Sequence, residues 1–185
     1  MHPEYAELAP PVVDPEAAMS ALEAAGHAET EFEIISIEGD WQSPTSFEEA
    51  GQLRAAGMTV ARTVLPGGTF WNGWTTYPFS ATDWGGRPLG VQALSLAYRS
   101  GAPWNETGFD DPEFDAKLDE ALGIVDADNR RVVMADIERI LQDSGVIIQP
   151  FWRNMYLHHV PAVMNCARHP SREMHFERVW LDDSA

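Results

Sequence analysis

Two runs built for strands, residues 32–37 and 58–65, are separated by a stretch that reads as a helix over 47–56, and this order leaves few architectures open. The first run is rich in Ile and Phe and is closed by the polar stretch from Gly39 to Gln42. In the second, Val60 and Val64 fall on one face. Ser46 and Glu49 have the spacing of a capping box for the intervening helix, and Gly57 stops it. Strands joined by a helical crossover pair in parallel. The expectation is therefore an α/β fold, a mixed sheet with flanking helices.

The remaining elements are read from caps and period. Asp14 as N-cap, Pro15 at the first helical position and Gly26 as stop define a helix over 15–25 with a narrow apolar stripe that includes Met19 and Leu22. Asp111 and Pro112 open a helix to about Leu122, with Phe114 and Leu118 facing the core. Asp126 caps a longer one through Gln142, in which Val133, Ile137, Ile140 and Leu141 recur at three- and four-residue intervals before Gly145 stops it. Strands are expected over 146–151 and 176–181. No internal repeat or low-complexity tract interrupts the 185 residues.

Charge excludes several partners. A formal net charge of -17, with pI near 4.5, opposes nucleic acid and anionic membrane surfaces, which demand stripes of Lys and Arg. The lone Cys166 rules out an internal disulfide and a cysteine-based zinc cluster. No apolar run approaches the roughly 20 residues of a membrane span. Direct membrane insertion is not expected.

Between Thr69 and Asn105 lie Phe70, Trp71, Trp74, Tyr77, Phe79, Trp84, Tyr98 and Trp104, among glycines, prolines and short polar residues with no clean period. Large flat rings lose little rotamer entropy on ordering and offer wide contact area, while Gly and Pro shape loops. The combination suits a recognition surface. For any single ring, filling a core is the plainer reading.

Catalytic patterns are scarce. Pro66–Gly68 lacks the Lys and Ser or Thr of a phosphate loop, and there is no nucleophile elbow. His158, His159, His169 and His175 lie near the C-terminus with Glu173 and Glu177, but no metal-binding spacing joins them, so ordinary surface or hydrogen-bonded histidines are expected and no metal or other cofactor. Asp110, Asp111, Glu113 and Asp115 cluster at a helix start, where the helix dipole explains them. No catalytic residue is assigned. The chain is read as a non-enzyme, with a small carbohydrate-active or metal-assisted hydrolase using the acidic cluster or the histidines as the alternative.

Four phrases in order carry a resemblance: TFWNGWTTYPFSATDWGGRP at 69–88, AYRSGAPWNE at 97–106, DPEFDAKLDEA at 111–121 and VIIQPFWR at 146–153. Together they resemble the C-terminal half of the extracellular solute-binding proteins of ABC importers, family 5, the dipeptide, oligopeptide and nickel type. The resemblance implies a type II periplasmic-binding-protein lobe belonging to a two-lobed receptor that closes on a ligand by hinge motion. It divides the chain into a connector at 1–13, a C-terminal ligand-binding lobe at 14–150 and a segment at 151–185 returning toward the other lobe. The partners it implies are a small-molecule or peptide ligand and the membrane subunits of an ABC permease. The location it implies is periplasmic or extracellular, or lipid-anchored in a full-length protein of which this chain is a fragment.

The same resemblance assigns ligand-facing positions. Trp84 matches a stacking tryptophan and Gly85 a backbone hydrogen-bonding position. Phe70 or Trp71 matches an upstream aromatic wall, and Trp152 an aromatic of the returning segment. Peptide-binding members carry an Asp shortly after the stacking Trp to hold the peptide's amino group. Arg87 occupies that place, and its fixed fork of donors suits carboxylate, phosphate or sugar hydroxyls instead. A ligand other than an ordinary peptide is expected.

Overall fold

The computed structural model describes residues 4–39, 41–151, 154–169 and 173–182. Helix α1 (Pro15–Ala24) starts as its sequence predicts, with the Asp14 carboxylate accepting from the Ala17 N–H at 2.9 Å. Strand β1 (Glu31–Ile37) follows, helix α2 (Gln42–Ala55) crosses over, and strand β2 (Thr59–Leu65) returns parallel to β1, from Glu31 opposite Thr59 to Ile37 opposite Leu65. Strand β3 (Ser80–Ala81) adds in parallel on the other side of β1, giving the order β2-β1-β3. Ile34 at the sheet centre is fully buried, with Val60 and with Ala50 of α2. Apolar packing of this kind is what a parallel sheet requires. The main sheet is thus wholly parallel, and the antiparallel character lies in a separate ribbon of β4 (Val163–Met164) and β5 (Trp180–Leu181).

Three expectations need correction. Helix α2 begins at Gln42, not Phe47, and Ser46 lies buried inside it. There its hydroxyl donates to Ser36 Oγ of β1 at 2.9 Å, so the residue ties helix to sheet and does not cap. The run 146–151 forms no strand: Ile148 and Phe151 are exposed, and no neighbouring strand pairs with it among the described residues. The expected strand over 176–181 shortens to β5, preceded by a 3-10 turn at Phe176–Arg178.

Two short helices fill the region without a clean period, α3 (Gly67–Gly73) and α4 (Gly90–Ala97). Beyond them run α5 (Pro112–Leu122) and α6 (Ala127–Ser144), capped by Asp111 and Asp126 as their sequences predict. Phe114, Leu118 and Ala121 of α5 and Val133, Met134, Ile137 and Leu141 of α6 close a second core with Val91 of α4 and Phe109. Phe109 and Phe114 meet edge to face at 5.2 Å.

The stretch expected as a connector is anchored at residues 4–9. Glu4, 1% exposed, accepts from the Gly90 and Val91 N–H groups at 2.7 and 3.4 Å, where the helix dipole of α4 favours a negative charge. Its other oxygen pairs with the buried Arg130 guanidinium. Arg130 in turn donates from Nε to the carbonyls of Ala121 and Ile124 at 3.1 and 2.8 Å, where α5 ends. One ion pair therefore joins the first described residue to three helices. A Cβ at Gly90 would stand 3.1 Å from the Glu4 carboxylate, so a side chain there would push the carboxylate back by a few tenths of an ångström.

Candidate functional site

Six rings form an unbroken row. Tyr77 lies 5.6 Å from Phe70 between centroids, Phe70 5.1 Å from Trp71, Trp71 5.8 Å from Trp74, and Trp84 6.1 Å from both Trp74 and Trp104. Most meet edge to face, the arrangement that ring quadrupoles favour. The fold puts them together because β2 and β3 both run toward the same edge of the sheet. The chain leaves β2 at Leu65 into α3, which carries Phe70 and Trp71 and ends beside Trp74, and it leaves β3 at Ala81 three residues before Trp84. In parallel α/β sheets that carboxyl edge is where ligands are held.

Trp104 comes from the loop between α4 and α5. Asn105 fixes this loop by donating from Nδ2 to the carbonyls of Arg99 and Phe109 at 3.1 and 2.8 Å. The next residue, Glu106, is the centre of the site's polar chemistry. Its carboxylate accepts from the Trp84 indole N–H at 2.8 Å and from the Thr82 hydroxyl at 2.7 Å. Burial pushes its pKa above the usual carboxylate range, and those two hydrogen bonds oppose the shift. Tyr98 is pushed up to about 12, by burial first and then by the Glu106 charge. The carboxylate fixes the plane of Trp84 and keeps acceptor capacity beyond the two donors it holds.

The residues singled out in the sequence separate into groups. Trp71 and Trp104 present 44% and 47% of their surface, and Trp84 is half-buried between Trp74 and Trp104. Of the pair Phe70 or Trp71, only Trp71 faces outward. Phe70 is fully buried and backs the row, because it packs edge-on beneath Trp71 on the inner side of α3. The Gly85 carbonyl accepts from Arg87 Nη1 at 3.2 Å, so Arg87 folds back on its own turn. Asp83 is held from the α2 side by Gln42 Nε2 at 3.4 Å. Trp152 lies outside the described residues.

Sequence reasoning missed Glu106. Its signal was a carboxylate directly after Trp-Asn in an aromatic stretch, where a charge has no helix terminus to explain it. The acidic cluster has structural duties instead: Asp111 caps α5, accepting from the Glu113 and Phe114 N–H groups at 2.8 and 2.9 Å, and Asp115 accepts from the Ser100 N–H at 3.2 Å.

No family model and no curated protein matches the chain. Solved structures do. The oligopeptide-binding protein AppA from Bacillus subtilis, in complex with a nonapeptide, superposes with a TM-score of 0.72 at 13% identity, over 97% of this chain and 40% of that one. Clavulanic acid biosynthesis oligopeptide binding protein 2 gives 0.72 at 22% identity, over 92% of this chain and 34% of its own. NikZ from Campylobacter jejuni, in complex with Ni(L-His), gives 0.64 at 18% identity, over 72% and 31%. The chain has the fold of part of a periplasmic-binding-protein type II receptor, of the kind found in the peptide- and nickel-binding members of solute-binding family 5. It spans 31 to 40% of the length of these three structures.

Proposed function

We propose that this chain is the C-terminal ligand-binding portion of the solute-binding component of an ABC importer, acting outside the cytoplasm and delivering its solute to a membrane permease. Residues 14–150 form the lobe and 151–185 lead toward the second lobe. The aromatic row is one wall of the cleft, with Trp84 as the stacking platform, Trp71 and Trp104 at its flanks and Glu106 as the acceptor for a ligand donor. Gly85 and Arg87 complete the wall, Arg87 by shaping the turn after Trp84, and Trp152 is proposed as a ligand contact on the sequence resemblance alone. The observation that carries this reading is the six-ring row at the carboxyl edge of a parallel sheet, tied at Trp84 to a half-buried carboxylate. Such a surface binds by stacking and hydrogen bonding and needs no activated nucleophile. The hydrolase alternative finds less support in the acidic cluster, since Asp111 and Asp115 are taken up by backbone N–H groups.

The ligand is peptide-like or another small solute with a flat or apolar face and a hydrogen-bond donor for Glu106. The test is calorimetric titration of the full-length receptor with a panel of peptides, sugars and amines, repeated on Trp84→Ala. Loss of one stacked ring weakens binding by about 1–3 kcal/mol, roughly 5- to 150-fold in Kd. Affinity unchanged by the substitution removes the row from the cleft.

A further inference from the structure

We propose that His169, Glu173 and His175 form a binding site for a divalent transition metal of the Zn2+ type, independent of the aromatic row. One donor atom from each of these side chains lies within 4.8 Å of the other two. The His175 Nε2 stands 3.8 Å from Glu173 Oε2, too far for a hydrogen bond, and the two imidazoles meet edge-on with centroids 5.8 Å apart. Zinc–donor distances of about 2.0–2.2 Å separate tetrahedral ligands by roughly 3.4 Å, so modest rotamer changes close the set on an ion.

The imidazole of His175 is already oriented for coordination. Its Nδ1 lies 3.1 Å from Glu177 Oε1. An ionised carboxylate only accepts, so Nδ1 donates to Glu177 and the neutral ring presents its Nε2 lone pair on the side of Glu173. A carboxylate behind a ligating histidine fixes the ring's tautomer and raises its basicity, as in protein zinc sites. The carboxylates of Glu173 and Glu177 on either side of the His175 ring make this corner electronegative, which favours a bound cation.

The loop carrying these ligands is closed at its base. β4 and β5 pair Val163 with Leu181 and Met164 with Trp180, and the Asp182 N–H donates to the Ala162 carbonyl at 2.8 Å. Asn165 stands in the left-handed region at φ 55° and donates from Nδ2 to the Arg178 carbonyl at 2.9 Å, pinning the two ends of the loop. Two imidazoles and one carboxylate select borderline metals over Ca2+ and Mg2+, which take oxygen donors. Three protein ligands leave a fourth position to water. Histidine spacing alone concealed the site, because the ligands are not placed by a helix or a strand face but by a loop that folds back on itself.

The test is titration of the 185-residue chain, free of any affinity tag, with ZnCl2 and separately with CaCl2 and MgCl2. One equivalent of Zn2+ is expected to bind with micromolar or tighter Kd, and neither alkaline-earth ion. His169→Ala and His175→Ala should each weaken binding about 100-fold, and Glu177→Gln 10- to 100-fold through the tautomer it sets. The doubly substituted His158→Ala, His159→Ala chain should bind as the parent does. Circular dichroism of the metal-free variants reports whether they fold. Cobalt spectra of Glu173→Gln, which keeps both imidazoles, give a second readout: an altered visible band supports the set. Absence of stoichiometric zinc, full affinity in His175→Ala, or loss transferred to the His158 and His159 variant overturns the proposal.

Discussion

Glu138 on α6 is a carboxylate whose ionisation works against the fold around it. Burial pushes its pKa up to about 6, and the Ala6 N–H, 3.3 Å from both carboxylate oxygens, only partly opposes the shift. The folded chain therefore holds this proton more tightly than the unfolded chain, whose glutamate titrates near 4.5. The stability it contributes is fully present below pH 4.5 and is lost as pH rises through about 6. Glu138→Gln removes that dependence. Thermal melts of parent and variant at pH 4.5 and 7.5 should show the variant gaining on the parent at the higher pH; a constant difference at both values sinks the assignment. Neither this group nor Glu4 was legible in the sequence, whereas Glu106 stood out at least as a charge inside an aromatic stretch. Acidic residues make up 29 of the 185, and nothing local distinguishes the few that a distant element covers. Asp14, Asp111 and Asp126 were legible because a cap acts on N–H groups two or three residues away.

Elements divide along the same line. α1, α5 and α6 were read nearly to the residue because caps, apolar period and glycine stops agree, whereas α3 begins at Gly67 and Gly68 and holds only seven residues. Such a helix has weak propensity and is made by packing. Its end is sterically committed: a Cβ on Gly73 would lie 2.8 Å from the Tyr77 Oη and 3.0 Å from its Cζ. Tyr77 cannot then keep both its ring contact with Phe70 and the 3.3 Å hydrogen bond to the Thr69 carbonyl. Gly73→Ala is expected to displace Tyr77 and loosen the start of the row while leaving the second core intact. Near-ultraviolet circular dichroism should lose intensity from coupled tryptophans, with far-ultraviolet signal retained. An unchanged aromatic spectrum contradicts the predicted packing. The strand expected over 146–151 failed for the opposite reason, since an apolar run makes a strand only where an edge receives it.

At the scale of the molecule, the aromatic stretch was legible as a concentration of rings and their order was not, because the row is assembled by parallel strands that deliver distant residues to one edge. What the chain leaves uncovered is equally telling. From residue 148 onward Ile148, Tyr156, Val160, Phe176, Trp180 and Leu181 are exposed, Tyr156 at 70% and Phe176 at 69%. Soluble chains seldom present so many large apolar side chains in one stretch unless another surface covers them. In the two-lobed receptor proposed above, the second lobe is that cover. The chain alone is then expected to bury these side chains against copies of itself despite its net charge of -17, whose repulsion weakens with salt. Light scattering coupled to gel filtration should give a mass above 20.5 kDa that rises with protein concentration and with ionic strength. Replacing Tyr156, Val160 and Phe176 with Ser should return the monomer, as should joining the chain to the rest of its receptor. A monomer at all concentrations and salt levels would mean that the 148–181 surface needs no cover, and the second-lobe reading of residues 151–185 would fall with it.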